Sequence, residues 1–433
     1  MYRSRILGLV STWILCFVFL AFSSANGFSF EHGGRNSVFE AQSIAAGWVA
    51  EDADNNLIVL TQNFIAYFLC IITIAPFVRI IGREILRNLA ISALLLWVTL
   101  SFFWSVSAVT SGINAIRIIC CVALAIYLPK RYAVNDLLKL LLLVGSVAAT
   151  ASLAMVLFFP QYGLQNRSFS YAVGAWQGIF GQKNICGLSM TLLLLPVFFV
   201  ELSARFGRVF KTGYVFVVLV IIAETQSVGS WVVTGLCLVF VAGMTLLSRV
   251  GRRETHVWVL GFLSIAVGAS TIVYMNSNSL LSVLGKDPTM TGRTAIWASL
   301  LRSVEQRPVL GYGFRAFWKP SVGSSSAAPI QGRPPGLTYA ENGVLELWLD
   351  SGAVGVALYL LIYLRAVKNA IFCFRRNPSP AVMWYATLLF YVAATNIEGG
   401  YLMLPSLLAC ILPFVAYWGL GNEASHLRLA AAS

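Results

Sequence analysis

The chain has 433 residues, of which 58% are hydrophobic and 11% charged, with a mean hydropathy of +0.78. Soluble domains carry roughly 25% charged residues and disordered chains are poor in apolar ones, so both classes are excluded. The 30 Lys and Arg against 17 Asp and Glu give a net charge of +13, which suggests nucleic acid in a soluble protein but orientation in a membrane protein.

A membrane helix needs about 20 mostly apolar residues. Windows of that kind run roughly over 6–25, 57–81, 86–104, 109–128, 137–159, 184–204, 212–224, 229–248, 256–275, 343–364, 381–397 and 401–420. The runs do not alternate apolar and polar residues, which argues against barrel strands. The expected fold class is all-α: a polytopic integral membrane protein of about twelve transmembrane helices. The first window also has the form of a signal peptide, with Arg3 and Arg5 ahead of it and Ser24–Ala25 behind it. With the N-terminus inside, every inner loop is basic, as the orientation rule requires. Both termini are then expected in the cytoplasm, and the surplus charge states which way the protein faces. No nucleic-acid partner is needed to explain it.

The domain plan that follows is helices 1–9 over 1–275, a large outer loop over 276–342, and helices 10–12 with a short cytoplasmic tail over 343–433. Connections longer than about 12–15 residues are usually functional or disordered, and two outer segments, 160–183 and 276–342, exceed that. In the second, Thr291 or Gly292 can start a helix in which Ile296, Trp297, Leu300, Leu301 and Val304 recur at helical spacing, with Pro308 ending it. This predicts an amphipathic helix near the membrane surface. Gly311-Tyr-Gly-Phe-Arg reads as a turn, and the Ser, Gly and Pro of 319–336 as a flap.

A few ionisable residues violate the orientation pattern. Arg293 reads either as an interfacial snorkelling arginine or as a phosphate clamp, since guanidinium matches phosphate oxygens bidentately. Lys183, in GIFGQKN, is either an interface anchor or part of an anion site, with Asn184 capping the helix that begins there. Arg117 lies inside the fourth window, where a charge is costly. It is either functional or paired with a carboxylate such as Glu224 or Glu398. Glu341, Glu346 and Asp350 lie at the start of the tenth window. Glu346 and Asp350 share a helix face, and only Glu341 precedes the span, as a base or as a wet loop residue. Aromatics in the outer segments form an interfacial belt or suit the apolar faces of sugar rings. The eight cysteines contain no C-x-x-C, and the three histidines fall in different regions. No metal or other cofactor is expected.

Four blocks, in order and on one predicted side, resemble the O-antigen ligase and Wzy-type polymerase superfamily. GKDPTMTGRTAIWASLLRSVEQRPVLGYGFRAFW (285–318) is similar to its outer-loop signature, most of all to that of ExoQ-type exopolysaccharide polymerases. LWVTLSFFWS resembles the W-S segment, GIFGQKNICG the G-x-F-x-x-K-N-x-x-G segment, and AENGVLELWLDSGAVG the A-H-N-x-x-L block. The resemblance covers about 95–355 and implies a GT-C-like glycosyltransferase of the bacterial inner membrane with a periplasmic active site. Its substrates would be undecaprenyl-pyrophosphate-linked oligosaccharides, which it would polymerise. A chain-length regulator and export machinery would be its partners besides the bilayer.

By the same resemblance, Glu341 stands where the ligases carry a histidine that deprotonates the acceptor, and Arg293 joins it in catalysis. Lys183, Asn184, Arg117 and Arg293 would bind pyrophosphate. Trp297, Tyr312, Arg315, Trp318 and Asn342 would contact the saccharide. The basic residue expected after the seventh span is absent from TQSVGSW (225–231), and Lys183 is the candidate to replace it. Ligase chemistry on finished polysaccharide is the near alternative. A lipid-linked sugar flippase is the alternative from another class, disfavoured because no internal repeat is seen.

Overall fold

The structure, a computed structural model, describes residues 12, 14–19, 57–165, 174–180, 182–202, 205–249, 293–318, 340, 342–396 and 407–432. The ninth window, most of the first, the flap at 319–336, Glu341 and the Arg293 side chain lie outside the described residues.

The described chain is helical, with one isolated bridge from Leu164 to Trp176 as its extended pairing. Long apolar runs without turn residues fold this way because helices satisfy their own backbone groups where water is absent. In order the helices are α1 (Leu57–Ile74), α2 (Val78–Arg87), α3 (Leu89–Leu100), α4 (Ala108–Arg131), α5 (Val134–Phe158), α6 (Lys183–Leu194), α7 (Arg205–Glu224), α8 (Val228–Arg249), α9 (Arg293–Gln306), α10 (Gly343–Arg376), α11 (Pro380–Thr395) and α12 (Leu407–Ala432). Short 3-10 turns join α1 to α2 and extend α3 and α6.

Five stretches among the described residues are long and apolar enough to cross a membrane: Thr61–Arg87, Ala108–Arg131, Val134–Phe158, Val228–Arg249 and Gly343–Arg376. Leu89–Phe103, Lys183–Phe198 and Pro380–Thr395 are apolar but shorter. The protein is therefore an all-α, polytopic membrane protein. Phe64, Leu89 and Phe103 stay exposed on the bundle, an apolar exterior that lipid can solvate.

Two cores hold the chain. In the larger, α12 packs on α4, α10 and α11, α10 also packs on α3, and α6 contacts α5, α7 and α8. Leu94, Leu124, Ile126, Trp384, Tyr385 and Phe414 are buried there. The smaller core joins Leu300 and Val304 of α9, Tyr312, Phe317 and Trp318 of the following turn, Ala340, and Leu345 and Leu349 of α10. Helix α9 thus buries the face the sequence spacing marks, except that Leu301 is 46% exposed.

Candidate active site

Construction of the site begins with a break in α10. Gly352 sits at φ 66°, ψ −174° in an otherwise helical run. This region is open in practice to glycine alone. The break frees carbonyls that a continuous helix would have used, and buried carbonyls require partners. They find them in other parts of the chain. Leu349 O accepts from Tyr312 N at 2.8 Å, and Asp350 O from Gly313 N at 3.1 Å. Ser351 O accepts from the Trp97 indole Nε1 at 2.9 Å. In return Ala353 N donates to Pro308 O at 2.8 Å.

The turn after α9 is shaped to meet this break. Gly311 and Gly313 take φ values of 70° and 102°, and Arg315 takes 59°. At Gly311 a β-carbon would lie 2.6 Å from Gly352 N, so the close approach of two backbones excludes any side chain. The W-S segment completes the contact. Val106 N donates to Tyr312 O at 2.9 Å, Phe314 N to Ser101 Oγ at 3.1 Å, and Trp104 Nε1 to Leu310 O at 3.0 Å. Three of the four sequence blocks therefore meet in one packed unit.

At its centre is Glu346, 4% exposed. Its Oε1 accepts from Trp318 Nε1 at 2.8 Å and from Arg315 Nη1 at 3.2 Å. Its Oε2 accepts from Ala340 N at 2.7 Å. From the other side, Trp297 Nε1 of α9 donates to Ala340 O at 3.0 Å. Asn342 caps α10, its Oδ1 accepting from Leu345 N at 3.0 Å. One turn beyond Glu346, Asp350 is 2% exposed, and its Oδ1 has no hydrogen-bond partner among the described residues.

These contacts give several site residues frame-building duties that sequence reasoning missed. Tyr312 is 3% exposed, its hydroxyl donates to Ser303 O at 2.9 Å, and the Arg307 guanidinium lies 5.0 Å over its ring. Burial raises the Tyr312 phenol pKa, with Arg307 opposing, which keeps the hydroxyl a donor. Trp318 is 7% exposed and turns its N–H to Glu346, while Arg315 forms the ion pair with the same carboxylate. Glu346 and Gly352 were hidden because their partners lie on other segments. The legible signal was a carboxylate within an apolar helix, since a buried charge demands donors.

The fourth block lies in a separate cluster. Helix α6 begins at Lys183, with Gln182 at the cap position. The expectation that Asn184 caps this helix is therefore corrected. Asn184 is inside the first turn, and the open Lys183 N–H is met instead by Gln165 Oε1 at 3.3 Å. A partner from another segment could not be read from local sequence. The Lys183 ammonium reaches Gln226 O at 3.5 Å, within the TQSVGSW segment that lacks its own basic residue. Should Lys183 bind a pyrophosphate-linked donor, Lys183→Met is expected to raise the KM for that donor roughly tenfold or more, the effect of one charge-assisted hydrogen bond. Steady-state kinetics in nanodiscs would check this, and an unchanged KM would remove Lys183 from donor binding.

Arg117 lies on α4, half-buried. Its Nη1 donates to Asn114 Oδ1 at 3.3 Å and its guanidinium stands 5.7 Å from the Tyr67 ring centre. Neither contact is with a carboxylate. Among the described residues, no hydrogen bond or ion pair links Arg117 to the Glu346 unit.

Residues 213–360 match the family described as O-Antigen ligase. This match and the relatives below support a place for the chain in the O-antigen ligase and Wzy-type polymerase superfamily. The matched stretch contains α9, the turn after it and the break in α10. The chain is also 24% identical over 340 residues to the exopolysaccharide production protein ExoQ of Rhizobium meliloti (strain 1021), covering 74% of this chain and 75% of that one. A shorter match, 29% identical over 91 residues, is with RP358 of Rickettsia prowazekii (strain Madrid E), named as a candidate polysaccharide ligase, and covers 20% of this chain and 22% of that protein. These similarities and the helices together support an O-antigen ligase/polymerase-family membrane enzyme.

Proposed function

We propose that the protein is an exopolysaccharide polymerase. It joins oligosaccharide repeat units carried on undecaprenyl pyrophosphate, at the periplasmic face of the inner membrane. The observation that carries this reading is the hydrogen bond from Trp297 to Ala340. Trp297 stands one turn after Arg293 on α9, and Ala340 directly precedes Glu341. The bond ties the helix that starts at the candidate phosphate clamp to the segment that carries the candidate base. Similarity across three quarters of both chains to ExoQ, an exopolysaccharide production protein, supports a role in making exopolysaccharide.

In this reading the acceptor hydroxyl loses its proton to Glu341 as its oxygen attacks the anomeric carbon. The new glycosidic C–O bond forms while the bond to pyrophosphate breaks. Undecaprenyl pyrophosphate leaves with the electron pair, and a single displacement inverts the centre. Arg293, with Lys183 and Arg117 as further cations, offsets the charge growing on the leaving group. Asn184 adds a donor for pyrophosphate, and Trp297, Tyr312, Arg315, Trp318 and Asn342 shape the saccharide side. Both termini lie in the cytoplasm, and a chain-length regulator and export machinery act with the enzyme.

Deleting the gene and extracting lipid-linked saccharides tests the reaction. Single repeat units are expected; finished chains would establish ligase activity instead. Lipid movement without bond formation by the purified protein would make it a flippase. Arg293→Ala is expected to lower polymer formation by roughly 10²–10³, the range for losing one donor to a developing anion. Polymer of normal yield and length from that variant would end the clamp assignment.

A further inference from the structure

We propose that Glu346 is the positioning residue of this site: its carboxylate clasps the Arg315–Trp318 turn to Ala340, the residue that precedes the candidate base in sequence. The inference rests on the reading that the 340–342 segment carries the reacting groups.

A carboxylate this deeply buried within an apolar helix is costly unless donors surround it. Here three donors do, and none belongs to the body of its own helix. Trp318 Nε1 and Arg315 Nη1 share Oε1, and the Ala340 backbone N–H takes Oε2. The two oxygens therefore hold two different stretches of chain. Trp318 and Ala340, which flank 319–339 in sequence, meet on one side chain. Ala340 is then held on both faces of its backbone, since its carbonyl accepts from Trp297 of α9. Asn342, two residues on, is fixed by capping α10. Residue 341 thus has an anchored neighbour on each side, and the anchor on the Ala340 N–H is Glu346.

The chemistry of the clasp requires a carboxylate. Glutamine offers one acceptor oxygen and one NH2 group. Whichever way it turns, the NH2 faces N–H donors, either that of Ala340 or those of Trp318 and Arg315. One end of the clasp opens while volume and helix propensity stay nearly constant.

The test uses full-length protein in nanodiscs. Its probe is the lipid-linked saccharide extracted from a host strain lacking the gene. Glu346→Gln is expected to speed amide exchange, read by mass spectrometry, at 315–318 and 340–347, leaving the transmembrane helices unchanged. It should lower kcat roughly 10–100-fold, as for a misplacement near 1 Å, with KM within about threefold. In a Glu341→Gln background it should cause little further loss, because both changes act through one segment. Trp318→Phe removes one donor and keeps the ring, and should show the same exchange pattern with a kcat loss of roughly 3–10-fold.

Unchanged exchange at 340–347 in Glu346→Gln overturns the clasp. A kcat loss that multiplies in full with that of Glu341→Gln overturns positioning through this segment. Should Glu346→Gln fail to fold, Trp318→Phe decides, and normal exchange and kcat there end the proposal. Wild-type turnover in Glu341→Gln alone brings down the base assignment; the exchange pattern and the kcat-against-KM split of Glu346→Gln then judge the clasp by themselves.

Discussion

Alanine at Gly352 is expected to leave little folded protein in the membrane. Two costs combine there. The backbone lies at φ 66°, ψ −174°, which costs about 1–3 kcal/mol for a residue with a side chain. A β-carbon would also be driven against the Val309 carbonyl, a backbone atom that cannot swing aside. Relief would require separating Pro308–Gly313 from α10 and breaking the Tyr312-to-Leu349, Gly313-to-Asp350 and Ala353-to-Pro308 hydrogen bonds. Together these place the change among the exceptional losses, above about 4 kcal/mol. Size-exclusion profiles of detergent-extracted, tagged protein would check it. A monodisperse peak of normal height would show that the break tolerates a side chain.

Glu341→Gln is expected to lower kcat by roughly 10²–10⁴, the usual contribution of a positioned general base, with donor binding retained. The amide keeps size and polarity but cannot accept the acceptor's proton. Because a carboxylate would stand where ligases of this superfamily carry histidine, a second arm is informative. Glu341→His should recover part of the lost rate and move the acidic limb of the pH profile upward, since histidine titrates near pH 6.5 and glutamate near 4.3. Sign and base agree: each must be deprotonated to act, so activity falls as pH drops through its pKa. Wild-type turnover by Glu341→Gln would remove the residue from the chemistry.

The helical, membrane-spanning character was legible in composition alone, because the bilayer leaves few ways to satisfy a backbone. Helix α9 was legible as well: Ile296, Trp297, Leu300 and Val304 repeat at helical spacing, and Pro308 follows its end. The Gly311-Tyr-Gly-Phe-Arg turn was read correctly, since two glycines close together point to positive φ. What could not be read was which segments meet. The break at Gly352 is silent in sequence, because its carbonyls are satisfied by Trp97, Tyr312 and Gly313, each far along the chain. For the same reason the sequence does not show that the Trp318 N–H is committed to Glu346. The capping of α6 by Gln165 rather than Asn184 was lost in the same way.

The way the turn after α9 is fastened to α10 bears on how related chains diverge. Four of its fastenings run through peptide groups alone: Tyr312 N to Leu349 O, Gly313 N to Asp350 O, Ala353 N to Pro308 O, and Val106 N to Tyr312 O. Peptide groups are the same whatever side chain they carry. Outside the glycines that permit the approach and the side chains that also bond across it, such as Ser101, Trp104, Trp348 and Glu346, residues along this seam can be exchanged without unfastening it. A lineage can thus change its side chains widely while inheriting the attachment intact, which fits an identity of only 24% to ExoQ over three quarters of the chain.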